Sequence, residues 1–162
     1  MKVLIVYDSV FGNTEKIALA IGNAMGPQTE VNILRVGNMK QENLRGLDVL
    51  IVGSPTRAFK PTKAITNSLK VIPKNSLMGV KVAAFDTRFT MEKIKSSFFM
   101  LPLLVNIFGY GAKPISELLK RNGGDLAAPP EGFLVEDVEG PLKEGEMERA
   151  ANWAKKIFES IK

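Results

Sequence analysis

Short apolar runs alternate along the chain with segments in which apolar positions recur every three or four residues. The runs are rich in β-branched residues and too short for helices, a pattern typical of strands that are buried on both faces. They predict five strands, at residues 2–7, 31–36, 49–52, 79–85 and 132–135.

Helical periodicity occupies the intervals between these runs. Apolar residues at positions 17, 20, 21 and 24 follow Asn13 and Thr14, which suit a helix start, and Gly26 with Pro27 ends the pattern. Further helices are predicted at residues 62–71, 112–121 and 144–161. This alternation is typical of a doubly wound α/β fold with a parallel sheet, here as one domain over residues 1–162.

Ligand sites in doubly wound sheets lie at the carboxyl ends of the strands, near the point where the strand order reverses. Three loops follow predicted strands at this edge, at residues 8–14, 54–61 and 86–90. We therefore expect the chemistry of the protein in these loops.

The composition excludes many kinds of site. The 162 residues include no cysteine and no histidine, which excludes disulfides, thiolate catalysis, zinc fingers and histidine-based catalytic triads. With 45% apolar and 24% charged residues, the chain is close to the globular average. Its longest apolar stretch, about 13 residues, is shorter than a bilayer span, and we expect a soluble, cytoplasmic protein.

The loop at residues 8–14 joins the first predicted strand to the first predicted helix. Unpaired amides at a helix N-terminus, together with the helix dipole, attract phosphate groups. Ser9 and Thr14 offer hydroxyl donors. Gly12 allows close approach of the backbone, and Asn13 can tie the loop together. The loop matches neither the P-loop pattern nor G-x-G-x-x-G, and helix capping alone is the other interpretation of its polar residues.

The same loop resembles that of a known family. Tyr7-Asp8-Ser9-Val10-Phe11-Gly12-Asn13-Thr14 is similar to the phosphate loop of flavodoxins, which bind FMN non-covalently. Ile51-Val52-Gly53-Ser54-Pro55-Thr56-Arg57 resembles the second flavin loop, especially that of flavodoxin-like quinone reductases, and Phe85-Asp86-Thr87-Arg88 falls where the third should be. Val10 departs from the small or hydroxylated residue common in that neighbourhood, so we expect one phosphate contact from the backbone alone.

The resemblance implies a three-layer α/β sandwich, with a five-stranded parallel sheet in the order 2-1-3-4-5, and FMN as the cofactor. The cofactor would carry the chemistry, so we expect no catalytic side chain and no metal site. The candidate cofactor-binding residues are Ser9, Val10, Phe11, Gly12, Asn13, Thr14, Pro55, Thr56, Arg57, Ala58, Phe59, Asp86, Thr87 and Arg88.

The second and third loops have groups that suit a flat tricyclic ring. An amide-like group buried without a partner costs about 1–3 kcal/mol, so the pyrimidine edge of the ring needs hydrogen bonds and its faces need apolar cover. We expect the edge to meet backbone groups around Thr56, Arg57, Asp86 and Thr87. The faces would be covered by Pro55, Ala58, Phe59 and Phe89, although the two phenylalanines can instead pack on the core.

Arg57 and Arg88 flank the expected ring. A cation about 5 Å away, at an effective dielectric near 20, is worth on the order of 3 kcal/mol and favours the anionic reduced flavin. We therefore predict a less negative potential for the fully reduced form than in flavodoxins that surround the ring with carboxylates. In the alternative, both arginines point outward and pair with Glu or Asp.

Charge and apolar surface indicate the partners. Residues 57–95 contain nine basic and two acidic residues, whereas residues 131–149 contain seven acidic and two basic ones. Ten of the thirteen residues from 98 to 110 are apolar, and lysines precede them. We expect residues 94–110 to be covered by a second copy in a homodimer, by an acidic redox protein or by a membrane surface, or else to pack on their own sheet. The chain has no nucleic-acid reader motif.

Three functions remain open. The first is an FMN-binding electron-transfer protein that shuttles electrons between redox partner enzymes. The second is an FMN-dependent NAD(P)H:quinone oxidoreductase, suggested by the similarity of residues 53–57 to quinone reductases. The third is a flavodoxin-like module that binds a partner without FMN, which Val10 and the poor stacking set would favour.

Overall fold

The apolar runs form a parallel sheet in the computed structural model, which describes residues 1–90, 92, 93, 96 and 110–161. In this part of the chain the strands are β1 (Lys2–Tyr7), β2 (Glu30–Arg35), β3 (Val49–Pro55), β4 (Lys81–Phe89), β5 (Asp125–Leu126) and β6 (Glu131–Val135). The α-helices are α1 (Asn13–Asn23), α2 (Lys63–Lys70), α3 (Ala112–Arg121) and α4 (Glu146–Glu159). Two short 3-10 helices lie at Val36–Asn38 and Gln41–Leu44.

The strand order is β2-β1-β3-β4, and both β5 and β6 pair with the outer side of β4. β5 pairs with the start of β4 and β6 with its end, so the two pieces together occupy the fifth position of the predicted order 2-1-3-4-5. The sequence pattern predicts only the second piece. Pro129 and Pro130 lie between them, and a residue without an N–H cannot continue a ladder.

Apolar side chains cover both faces of the sheet. Successive residues of a strand point to opposite faces, so Val3 and Ile5 pack toward α1 and α4, while Leu4 and Val6 pack toward α2 and α3. On the first face, Phe85, Phe133 and Trp153 form edge-to-face pairs with ring centroids 6.0–6.3 Å apart. The predicted three-layer sandwich is confirmed.

The predicted element boundaries agree with the structure to within about two residues, except at the ends of β3 and β4. β3 was expected to end at Val52 but continues to Pro55, because Ser54 and Pro55 pair with Asp86 and Thr87. Asp86, Thr87 and Arg88 were expected in a loop, but β4 continues to Phe89 because β3 pairs with it as far as Thr87 and β6 as far as Phe89. The polar residues that follow the apolar run are therefore held in the sheet.

Most of the apolar segment lies outside the described residues, which include only Ser96 and Tyr110 of the range 94–110. The predictions for that segment therefore remain predictions. Among the residues that the structure does describe, no helix has both the length and the hydropathy needed to cross a bilayer. The same residues contain no group of three acidic side chains placed to hold a metal ion.

Candidate functional site

A cleft of about 360 Å³ opens where β1, β3 and β4 end side by side, a volume in the range of small-molecule sites. The predicted site residues line it except for Gly12, Phe59 and Asp86. The lining consists of Ser9, Val10, Phe11, Asn13, Thr14, Pro55, Thr56, Arg57, Ala58, Thr87, Arg88, Phe89, Val135 and Val138.

The loop between β1 and α1 is held in shape by its own polar groups. The Asp8 carboxylate accepts a hydrogen bond from the Ser9 amide (2.9 Å), and the Ser9 hydroxyl oxygen accepts one from the Gly12 amide (3.0 Å). Gly12 caps α1 in the left-handed region, with φ 86°. The amides of Val10 and Phe11 have no acceptor within the described part of the chain, and the first-turn amides of α1 have none within the helix. Several donors therefore remain available at this end of the cleft.

Two polar residues of α1 connect this loop to other strands. The hydroxyl oxygens of Thr14 and Thr87 lie 2.9 Å apart and are buried. Only one of the two hydroxyl hydrogens is used in the bond between them, so the other can be donated to a ligand. Asn13 was expected to tie its own loop together. Its side-chain amide instead donates to the Glu139 carbonyl (3.0 Å), which lies in the segment after β6.

The second loop forms a tight turn at the edge of the cleft. The amide of Arg57 donates to the Lys60 carbonyl (2.9 Å), and the amide of Lys60 donates to the Arg57 carbonyl (3.0 Å). Ala58 and Phe59 between them have φ 46° and 65°, the signature of a type I′ turn, which normally contains Asn and Gly. The turn presents Ala58 to the cleft, whereas Phe59 does not line it.

The amides of Thr56 and Arg57 in the second loop already have protein partners. The Thr56 amide donates to the Thr87 carbonyl (2.9 Å), and the Arg57 amide is used in the turn. These two amides are therefore not free donors in this conformation, and the contact of a ring edge with other backbone groups around Thr56, Arg57, Asp86 and Thr87 remains a prediction. Apolar cover comes from Phe89, as expected, and also from Phe11.

Arg88 lines the cleft and forms a bidentate ion pair with Asp86, which does not line it. Arg88 donates from Nε to Asp86 Oδ1 (2.5 Å) and from Nη2 to Oδ2 (2.7 Å), and the Ala112 amide also donates to Oδ2 (2.7 Å). Asp86 is fully buried. Burial raises the pKa of its carboxyl, while the hydrogen bonds and charge of Arg88 act against that rise.

The environment of Arg88 decides between the two interpretations of the arginines. Its side chain is only 19% exposed and its guanidinium lies over the Tyr110 ring, 3.7 Å from the centroid. Arg88 therefore lines the cleft but is paired with an aspartate, so its charge is largely compensated. Arg57 is exposed at the edge of the cleft.

Solved structures resemble this chain. No family model matches it, and no curated protein sequence does. A flavodoxin from the domain Archaea matches with a TM-score of 0.71 at 19% identity, over 99% of both chains. Oxidised flavodoxin 2 from Bacillus cereus matches with a TM-score of 0.71 at 25% identity, over 98% of this chain and 99% of that one. The chain has the flavodoxin-like fold.

The same fold occurs inside a larger protein. The rubredoxin oxygen:oxidoreductase from the anaerobe Desulfovibrio gigas matches with a TM-score of 0.73 at 20% identity, and this chain spans 36% of its length. The similarity therefore covers proteins with different overall architectures, and it identifies the fold.

In this flavodoxin-like fold, sequence reasoning missed two residues that line the cleft and one that contacts Arg88 of its wall. Val135 and Val138 line it from the end of β6 and the segment beyond, and Val138 is 61% exposed. A single valine among the acidic residues Glu136, Asp137 and Glu139 is the sequence signal that could have identified this segment. Tyr110 reaches Arg88 from the far end of the 91–109 segment, a contact that no local pattern indicates.

Proposed function

We propose that this protein binds FMN in the cleft and carries electrons between redox partner enzymes. The convergence of three loops of a flavodoxin-like fold on one cleft is the observation that supports the proposal most strongly. One end of the cleft has free amide donors beside the N-terminus of α1, and the rest of its wall is largely apolar. That division suits a cofactor with a phosphate at one end and a flat ring at the other.

The residues at the β1–α1 loop fit a phosphate monoester. Ser9 and Thr14 are 3% and 1% exposed and lie at a helix N-terminus. Val10 and Phe11 would donate their free amides, and the Thr14–Thr87 pair its remaining hydroxyl hydrogen. No carboxylate is among the described residues that line this cleft, and the Asp8 carboxylate of the same loop lies near Arg35.

The remaining wall fits a flavin ring. Phe11, Phe89, Val138 and Pro55, which all line the cleft, offer apolar cover. Arg88 keeps the hydrogens of Nη1 after its bonds to Asp86, and these are available to a ring carbonyl. When bound, FMN supplies the electron-transfer chemistry, and the protein holds it, excludes water from part of it and sets the charge beside it.

The charge beside the ring is smaller than two free arginines would give. The Asp86–Arg88 pair is close to neutral, and Arg57 is the arginine of the cleft lining that has no ion-pair partner among the described residues. We therefore expect the reduction potential of bound FMN to be raised by the exposed, screened charge of Arg57 alone, rather than by the charges of both arginines.

We also propose an acidic redox protein as the partner. Arg57, Lys60 and Lys63 are exposed, and the cleft that Arg57 lines is also lined by the exposed apolar side chains of Val10 and Phe11. A basic edge around an apolar opening favours fast association with an acidic surface.

Two matched variants test FMN binding at this cleft. Gly12→Ala and Gly26→Ala both put a side chain at a positive φ, 86° and 83°, where an added Cβ meets nothing within 4 Å. Both should lose similar stability. Only Gly12→Ala should weaken FMN, by about tenfold, because relief of strain of about 1–2 kcal/mol moves the phosphate loop. Equal FMN affinities in the two variants would contradict the assignment of this loop.

A turnover assay separates the carrier from the quinone oxidoreductase. The FMN-loaded protein is mixed with NADH or NADPH and a soluble quinone, with and without a separate flavin reductase. A carrier oxidises the nicotinamide only when the reductase is added. Sustained oxidation without it would support the oxidoreductase instead.

A further inference from the structure

Arg35, the last residue of β2, contacts the loop that follows β1. Its Nη2 donates to the Ser9 carbonyl, and its Nε lies 3.8 Å from Asp8 Oδ1. In the ladder Arg35 is paired with Tyr7, which puts it beside the residue where the loop begins. The Asp8 carboxylate in turn accepts a hydrogen bond from the Ser9 amide. Arg35 and Asp8 therefore bind the carbonyl and the amide of Ser9, respectively.

The contact with the Ser9 carbonyl fixes the direction of the next amide. In a trans peptide the carbonyl and the N–H point in opposite directions, and the Ser9–Val10 bond is not among the cis bonds of this chain. A carbonyl held toward Arg35 therefore directs the Val10 amide away from Arg35. Val10 lines the cleft, and its amide has no acceptor in the part of the chain that is described.

We propose that Arg35 is a positioning residue that holds the Val10 amide as a donor to the phosphate of FMN. This inference rests on the proposed FMN binding. The side chain of Val10 has no hydroxyl to offer, so the backbone amide is the polar group through which this position can contact a phosphate. Arg35 does not line the cleft and acts through the loop.

Binding of two ligands that differ in the phosphate tests the proposal. The apoprotein and its Arg35→Gln and Arg35→Lys variants are titrated with FMN and with riboflavin, by flavin fluorescence. Arg45→Gln is the matched control, because Arg45 is exposed, lies before β3 at the amino ends of the strands, and carries the same charge. Urea denaturation of each variant reports whether it is folded.

Arg35→Gln should weaken the binding of FMN about tenfold or more and that of riboflavin less than about twofold. A loss of this size is expected when one well-directed hydrogen bond to a charged group is removed. Arg35→Lys should also weaken FMN, because one ammonium cannot reproduce the planar guanidinium contacts with Ser9 and Asp8. Arg45→Gln should bind both ligands as the wild type does. In ¹H–¹⁵N spectra at saturating FMN, the Val10 amide should shift less in Arg35→Gln than in the wild type.

Several results would overturn the inference. Equal weakening of FMN and riboflavin by Arg35→Gln would indicate a general structural role. Wild-type FMN affinity in Arg35→Lys would show that charge alone is sufficient. If the wild type binds FMN and Arg35→Gln binds it equally well, the inference fails and the proposed function stands. If the wild type binds neither ligand, the proposed function itself fails.

Discussion

Asp86 and Arg88 lie two positions apart on β4, so their side chains are on the same face of the sheet and can meet. Removing a carboxylate from water costs several kcal/mol, and here the two Arg88 hydrogen bonds and the Ala112 amide offset that cost. Because the guanidinium is held in this pair, the cleft receives less positive charge than the two arginines of the sequence indicate.

Breaking this pair is expected to destabilise the protein. Asp86→Asn should lower the free energy of unfolding by about 3 kcal/mol, because Arg88 loses its counter-ion while it stays mostly buried. Asp125→Asn is the control, since Asp125 is 67% exposed in its pair with Lys81, and its loss should cost at most about 1 kcal/mol. Urea denaturation at neutral pH measures both, and equal losses would contradict the buried-pair account.

The same variant is expected to change the redox properties of the FMN-loaded protein. Asp86→Asn leaves a full positive charge on Arg88 at the cleft wall, which should make the two-electron reduction potential less negative by on the order of 50 mV. Asp125→Asn should leave the potential unchanged. Redox titration of the holoproteins measures the shift, and a potential that stays constant in Asp86→Asn would mean that Arg88 does not interact with the ring.

β4 contains more of the site than its local sequence indicates. The apolar runs of β1 and β3 predict those strands because the pattern is local and both faces are buried. The apolar run of β4 ends at Phe85, and pairing with β3 and β6 extends the strand to Phe89. Strand pairing is a long-range property, so Asp86, Thr87 and Arg88 resemble a loop when the sequence is read alone.

The turn at residues 57–60 is strained, and relief of that strain is measurable. The double variant Ala58→Asn, Phe59→Gly introduces the pair preferred in type I′ turns and should raise the free energy of unfolding by about 1 kcal/mol. Asn75→Gly is the control, because Asn75 already tolerates its φ of 63° and should change stability by less than about 0.5 kcal/mol. Urea denaturation decides, and a double variant no more stable than the wild type would show that the turn is unstrained.

At the scale of the whole molecule, the strand order brings the three loops to one edge of the sheet. That meeting was predictable, because alternating strands and helices imply a doubly wound sheet whose ligand site is known by position. The sequence did not predict that the segment after β6 lines the cleft. That placement depends on single long-range contacts, such as those of Asn13 with Glu139 and of Lys93 with Asp137 (3.3 Å). The edge of the cleft is consequently basic on the side of residues 57–63 and acidic on the side of residues 136–139.

The basic side should control the rate of electron transfer to an acidic redox protein. Lys60→Glu, Lys63→Glu is expected to slow association with a small acidic iron–sulfur protein by about tenfold at low ionic strength, with a smaller difference at high salt. Lys70→Glu, Lys74→Glu changes the net charge equally at exposed positions farther along the chain. Stopped-flow mixing measures both, and equal slowing by the two double variants would show an effect of net charge rather than of this side of the cleft.

FMN binding is the central claim, and titration of the apoprotein with FMN tests it most directly. The account predicts saturation at one FMN per chain, with the flavin fluorescence changed on binding and with FMN bound more tightly than riboflavin. An FMN fluorescence that stays constant as the apoprotein is added in excess would contradict the account, and only the flavodoxin-like fold would remain.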